Sequence, residues 1–498
     1  MIDVSDYRKY EALFRHFEAF SAIPHGSGNT SAIADFFVEF ARARGLEYYR
    51  DGANNVVIRK PATKGYEDRP AVIFQGHLDM VAEKKTGAQI DMEREGLSLY
   101  RDGDFLRARD TTLGGDDGVA LAYAMAVLDG EVEAHPDFEA VFTSDEEIGL
   151  LGAVALSPDA VKGRLLINID SDEEGVFTVG CAGGVRSDIS LPLEYEEADK
   201  SKKAYRVRLY GFKGGHSGVE IDKGRANAVK VLGELFNMSA TEDWRIATMS
   251  GGNADNAIPR ECSAVVIAGE DFPEKFRTVL ERRKAMFAVM PDLPHTELRK
   301  MDKTGRTLRD IEPSCDIEIE EVALPARMLT DGSHSRLISL LILLPSGVIA
   351  MSRALPDLVE TSLNLGILRV GERAEVSFSV RSAVGAEKKK LCARLSEIAA
   401  GLGAEYGERG EYPAWEYRES SHLRDVMVDV YEKMYAKKPK VVTIHAGLEC
   451  GIFTEKLPDI DCVSIGPDNF DIHTTEERLS IPSFVRVWEY LKEVLRNI

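Results

Sequence analysis

The chain has 498 residues, 44% of them hydrophobic and 29% charged, which is too many for one ordinary core and far from disordered, fibrous or membrane compositions. Its 83 acidic and 62 basic residues leave a formal charge of -21, which repels phosphate backbones and argues against a nucleic-acid partner. The six cysteines lack C-x-x-C spacing and suit a reducing cytoplasm, no apolar run, Leu340 to Leu344 included, is long enough to span a bilayer, and the N-terminus has no export pattern.

In chain order, the periodicity predicts a helix over Tyr7 to Phe20, then a capped helix in SGNTSAIADFFVEFARARG ending at Gly45, then a strand in NNVVIRK. The α/β rhythm continues with a strand in AVIFQGHLDMV, a helix in DDGVALAYAMAVL, and strands in FEAVFTSDEE and RLLINID. From about Gly184 the texture becomes α+β. Longer alternating strands (AYRVRLYGF, ECSAVVIAG, GVIAMSR, VETSLNLGILRV, AEVSFSVRS) are separated by charged helices (GRANAVKVLGELF, DFPEKFRTVLERRKAMF, KKKLCARLSEIAAGL), which hints at two related halves. After Pro413 the first texture resumes, with helices in SHLRDVMVDVYEKMYAKK and SFVRVWEYLKEVL around a strand near DCVSIG. The expected organisation is an α/β domain in two parts, residues 1–183 and 409–498, interrupted by an inserted α+β domain, 184–408.

Ligand-type residues recur where apolar strands end. A period of two puts His77 and Asp79 of QGHLD on one strand face. Asp116 and Asp117 follow Gly114 and Gly115 at a helix start, where an N-cap is the plain alternative. Glu146 and Glu147 follow the strand FEAVFTSD and point in different directions, so that one can bind a metal while the other handles protons. Asp170 ends RLLINID, and His473 follows VSIG through PDNFDIH. Each alone reads as a surface residue, but together they mark the crevice beyond the carboxyl ends of an open α/β sheet. Two histidines with several carboxylates and no cysteine suit Zn2+, Mn2+ or Co2+. A carboxylate shared by two ions about 3.5–4 Å apart is the arrangement of hydrolytic metal pairs.

The ordered set GHLDM, GGDDG, SDEEIG, NIDSDEEG, FKGGHSG, NAIPRE, VETSLNLG, IHAGLECG and SIGPDNFDIHT resembles the aminoacyl-histidine (Xaa-His) dipeptidases. These belong to a two-zinc exopeptidase group that also contains tripeptidases, carboxypeptidases and aminoacylases. The resemblance runs from SAIPHGSGN to the end of the chain and implies a zinc-exopeptidase-type domain with a mixed central sheet flanked by helices. It implies two divalent ions, Zn2+ with Co2+ or Mn2+ as alternatives: His77 and Asp170 would hold one, Glu147 and His473 the other, and Asp116 would bridge them. It further implies a cis peptide after Asp116, Asp79 as the partner that steadies the His77 imidazole, and Glu146 as general base. By the same resemblance His216 in KGGHSG would donate to the tetrahedral oxyanion, against the plain reading of a turn histidine. Asn256, Asn364, Arg381, His445 and Glu449 would hold the dipeptide termini, although Arg381 on a strand could equally be salt-bridged. The second Asp of GGDDG departs from the Asn expected in the dipeptidases and puts extra charge beside the metals.

The resulting expectation is hydrolysis of Xaa-His dipeptides, β-Ala-His included, by a metal-bridging hydroxide, with the inserted domain closing over a small peptide. No membrane partner is expected, and a homodimer through the inserted domain is implied. The alternatives are a broader di- or tripeptidase, an N-acyl amino acid deacylase, and a silent peptide-binding relative. No G-x-S-x-G elbow supports a serine hydrolase, and Cys450 beside Glu449 reads as a small packing residue.

Overall fold

The computed structural model describes all residues except 1, 3, 240–242, 287–305, 353–354 and 356–357. Phe287, at the end of one predicted helix, and Arg353, at the end of one predicted strand, lie outside the described residues. The chain forms two compact units. One comprises residues 1–181, 417–443 and 448–498, the other residues 182–416 and 444–447. The later boundary falls after 408 because the strand Glu405–Tyr412 pairs antiparallel with Gly183–Pro192, which ties it to the second unit.

The first unit is built on an eight-stranded mixed sheet. Its centre is four parallel strands in the order Phe138–Thr143, Val72–His77, Leu165–Asn168, Asp461–Ser464. Val56–Lys60 and Glu47–Arg50 extend one side in antiparallel fashion, and Val176–Cys181 joins Asp461–Ser464 antiparallel on the other. The parallel strands are almost entirely buried, which explains their continuous apolar runs. Because they share a direction, Thr143, His77, Asn168 and Ser464 all finish at one edge, and the loops bearing the candidate ligands leave from there.

The helix Gly115–Asp129 is apolar all round and is buried from Gly118 to Leu128, so it is a core helix rather than a surface one. Its small residues allow close approach to the sheet. A Cβ on Gly76 would lie 2.3 Å from Ala120 Cβ and 2.3 Å from Asp117 Oδ2, so only glycine fits there. Tyr123 anchors the helix to the C-terminal helix Ile481–Asn497, stacking on Phe484 and Trp488 and donating its hydroxyl to the Phe484 carbonyl at 2.6 Å.

The second unit carries a nine-stranded antiparallel sheet with its own apolar cluster, including Phe236, Trp244, Phe272 and Phe378. The strands that hint at two halves all lie in this one continuous sheet. Among the described residues no helix is long and apolar enough to cross a membrane.

Candidate metal centre

In the first unit His77, Asp116, Glu146, Glu147, Asp170 and His473 come together. His77 ends its strand with the ring pinned: Nδ1 donates to the Asp79 main-chain carbonyl at 2.9 Å, which leaves Nε2 facing Asp116 Oδ1 at 3.0 Å and Asp170 Oδ1 at 3.8 Å. His473, half-exposed and at φ 61°, places Nε2 3.1 Å from Asp116 Oδ2 and 2.9 Å from Glu147 Oε1. Asp116 therefore offers one oxygen to each histidine. Two donor triads, His77/Asp116/Asp170 and Asp116/Glu147/His473, share it, and the donor atoms of each lie within 4.8 Å of one another. The Asp116–Asp117 peptide is cis. Asp117 turns away from the triads, accepting from the His77 and Ala120 amides at 3.2 and 3.4 Å.

The electrostatics are those of concentrated buried acid. Burial pushes the Asp117 and Glu146 carboxyls well above the usual carboxylate range, with Asp170 adding repulsion in both cases. Burial also raises Asp170 to about 7, with repulsion from Asp116 working against the pull of His77. His473 is raised to about 10 by Asp116 and Glu147. Burial alone would lower His77, but Asp116, Asp170 and Asp79 hold its ring well above the ordinary value. Two imidazoles do not neutralise this much buried negative charge. Two divalent cations at the shared triads would, and the all-nitrogen-and-oxygen donor set fits Zn2+, Co2+ or Mn2+.

Asp79 meets the His77 ring through its main chain as well as its carboxylate. The nearest acceptor for the His77 ring is its main-chain carbonyl, and its carboxylate lies farther off at 3.5 Å. That carboxylate instead accepts Ser27 Oγ at 2.8 Å and the amides of Glu146 and Glu147 at 3.0 and 3.4 Å. Asp145, at φ 52°, is tied to the same N-terminal loop by the Gly28 amide at 2.7 Å.

Glu449 lies within the first unit. It is fully buried, and its Oε2 accepts Gln75 Nε2 at 2.5 Å and Thr143 Oγ1 at 2.6 Å, while Gln75 Oε1 accepts Asn168 Nδ2 at 2.7 Å. Gln75 and Asn168 pair in register two residues below His77, and Thr143 lies opposite His77 itself. These bonds give Glu449 a supporting place beneath the site.

The remaining candidates all lie in the second unit. The short strand Gly215–His216 pairs with Ala257–Ile258, and the Ser217 amide donates to the Asn256 carbonyl at 2.8 Å. His216 Nδ1 accepts from the Gly218 and Val219 amides at 3.1 and 3.2 Å, so Nε2 carries the proton and is a donor. Asn364 is buried, and its amide nitrogen donates to the Asp255 and Ala257 carbonyls at 2.9 and 2.8 Å, so it braces the exposed Asn256 loop instead of facing a ligand. His445 Nε2 lies 2.7 Å from Ser362 Oγ, and burial followed by the nearby Arg381 holds its ring down at about 3. Arg381, opposite Ser362 in register, donates to Tyr412 Oη at 3.0 Å.

Ser27, Gln75, Thr143, Asn168 and Glu477 are supporting residues that the motif reading misses. For three of them a signal exists: Gln75, Thr143 and Asn168 are polar interruptions in otherwise apolar buried strands.

A family model described as peptidase family M20/M25/M40 matches residues 73–497. The chain is 34% identical over 490 residues to the cytosol non-specific dipeptidase of Escherichia coli (strain K12), covering 98% of each. Among solved structures it is similar to the aminoacylhistidine dipeptidase of Vibrio alginolyticus, with a TM-score of 0.88 and 33% identity over 98% of this chain and 96% of that one. Aminopeptidase PepT of Bacillus cereus shares the fold at a TM-score of 0.55 and 15% identity, with 98% of each chain covered.

Proposed function

The chain belongs to peptidase family M20/M25/M40, and from that premise we propose that it is a metal-dependent dipeptidase with a preference for Xaa-His substrates such as β-Ala-His. The observation that carries the reading is Asp116, whose two oxygens face two histidines, one at a strand end and one in a distant loop, and so define two adjoining donor sets. His77 and Asp170 would hold one divalent ion, Glu147 and His473 the other, and Asp116 both. When bound, such a pair polarises a carbonyl and lowers the pKa of water toward ~7.

The chain's own residues do the rest. Glu146 is the general base: it takes the proton from the attacking water and returns it to the leaving amine. One anchor, the Asp79 carboxylate, holds the amides of Glu146 and Glu147, so the base and a ligand are set together. His216, with Nδ1 occupied, can only donate, which suits it to the carbonyl oxygen as negative charge develops. Asn256, Arg381 and His445 are assigned to the substrate termini, Arg381 through its planar donor fork. The resemblance also supports a homodimer through the second unit, and six buried cysteines without a disulfide among the described residues support a cytoplasmic setting.

The identity to a non-specific dipeptidase favours, as a second reading, a broader choice of dipeptides. Turnover of β-Ala-His, Gly-Leu, a tripeptide and an N-acetyl amino acid separates the possibilities. At least tenfold higher kcat/KM for β-Ala-His than for Gly-Leu supports the Xaa-His preference, equal values support the broad dipeptidase, and silence on both dipeptides refutes the proposal.

A further inference from the structure

The helix that presents Asp116 has no cap of its own. Gly114 at the N-cap has no side chain, and nothing nearby in sequence satisfies the first amides. The acceptor comes from far along the chain. Glu477 Oε2 accepts the amides of Leu113 and Gly114 at 2.7 and 3.0 Å, and its Oε1 accepts those of Gly115 and Asp116 at 2.9 and 3.4 Å. Asn469 Nδ2 donates to the same Oε1 at 3.2 Å. Glu477 is 3% exposed, and its hydrogen-bond partners are these four amides and Asn469. Four consecutive amides converging on an anion form a nest at a helix start.

The two glycines of GGDDG make this possible. Gly114 adopts φ 67° with Met80 Sδ 2.9 Å from where a Cβ would lie, and a Cβ on Gly115 would meet Asn469 Nδ2 at 2.8 Å. Asn469, His473 and Glu477 belong to one short hairpin, Asn469 in its first strand and the other two in its loop. That loop supplies a candidate ligand, His473, and also grips the backbone from which Asp116 projects.

We infer that Glu477 is a positioning residue for the bridging carboxylate: by binding the amides of 113–116 it fixes Asp116 in register with His473 on one side and His77 on the other. The inference rests on the reading of Asp116 as the shared ligand. Its signature is that a residue touching neither ion controls both.

The test titrates the chelator-stripped, full-length protein with Co2+ alone, following stoichiometry by calorimetry and ligand geometry by the visible Co2+ spectrum. Wild type takes up two ions. In Glu477→Gln an amide NH2 replaces one acceptor oxygen and opposes the nest. Both ions are then expected to bind at least tenfold more weakly, with a shifted Co2+ spectrum, while His473→Ala loses one ion and keeps the other. Glu477→Asp, which keeps the charge but is shorter, is expected to fall between wild type and Gln, and it carries the test if the Gln variant does not fold. Wild-type affinity for both ions with an unchanged spectrum in the folded variant overturns the inference, as does the loss of only one ion. Fewer than two ions in wild type overturns the reading of the centre itself, and the inference with it.

Discussion

Replacing Glu449 by Gln should stabilise the chelator-treated protein, and increasingly so as the pH rises. Burial raises the Glu449 carboxyl to about 7 from an ordinary 4.5, despite its bonds from Thr143 and Gln75. A group raised in the folded state holds a proton that the unfolded chain has already released, so between pH 4.5 and 7 the folded state binds more protons and stability falls as pH climbs. Across that window the loss amounts to about 3 kcal/mol, complete above pH 7. The Gln variant keeps an acceptor for Gln75 and Thr143 but has no charge to bury. Urea denaturation followed by far-ultraviolet circular dichroism at pH 5, 6, 7 and 8 should show the variant's advantage growing by about 2–3 kcal/mol across the series. A pH-independent difference would refute the account of a desolvated carboxylate. Dipeptide KM in the metal-loaded variant should stay within about twofold, because only a side chain that binds substrate and transition state alike raises KM when it is removed. A hundredfold rise would return Glu449 to the substrate.

Glu146→Gln should keep both ions and substrate affinity while kcat falls about 10²–10⁴-fold, measured by steady-state turnover beside metal analysis. Ser27→Ala removes a 2.8 Å bond to the Asp79 carboxylate. A charge-assisted bond of this kind is worth about 1.5–3 kcal/mol, so a kcat loss of about tenfold with unchanged metal content is expected, and unaltered kcat would disprove the link from that loop to the Glu146 turn. Gly76→Ala forces a methyl to within 2.3 Å of Ala120 Cβ. Thermal unfolding should show about 2–3 kcal/mol of destabilisation, and a loss below about 0.5 kcal/mol would mean that the helix can step back from the sheet.

His77, Glu146, Glu147 and Asp170 are legible in the sequence because each ends or closely follows a buried strand, and those strands are parallel, so one edge gathers them, whereas Asp116 opens a helix and His473 sits in a longer loop. His77, Asp170 and the glutamate pair could be read from the short run each terminates. The supporting set could not. Glu477 reaches the Asp116 loop from more than 360 positions away, and in isolation it is one acid among 83. Asn364 and Glu449 sit in motifs that point to a ligand, yet both are buried and bonded to groups of the fold itself, a placement that only packing reveals. Asp79 illustrates the same division. Its alternation with His77 is local and visible, but the Glu146 and Glu147 amides that claim its carboxylate arrive from the loop after a neighbouring strand. Local sequence fixes which groups a strand end carries, because strand period and burial are short-range properties. Which donor finally faces which acceptor depends on loops brought together across hundreds of residues, and only the folded chain decides that.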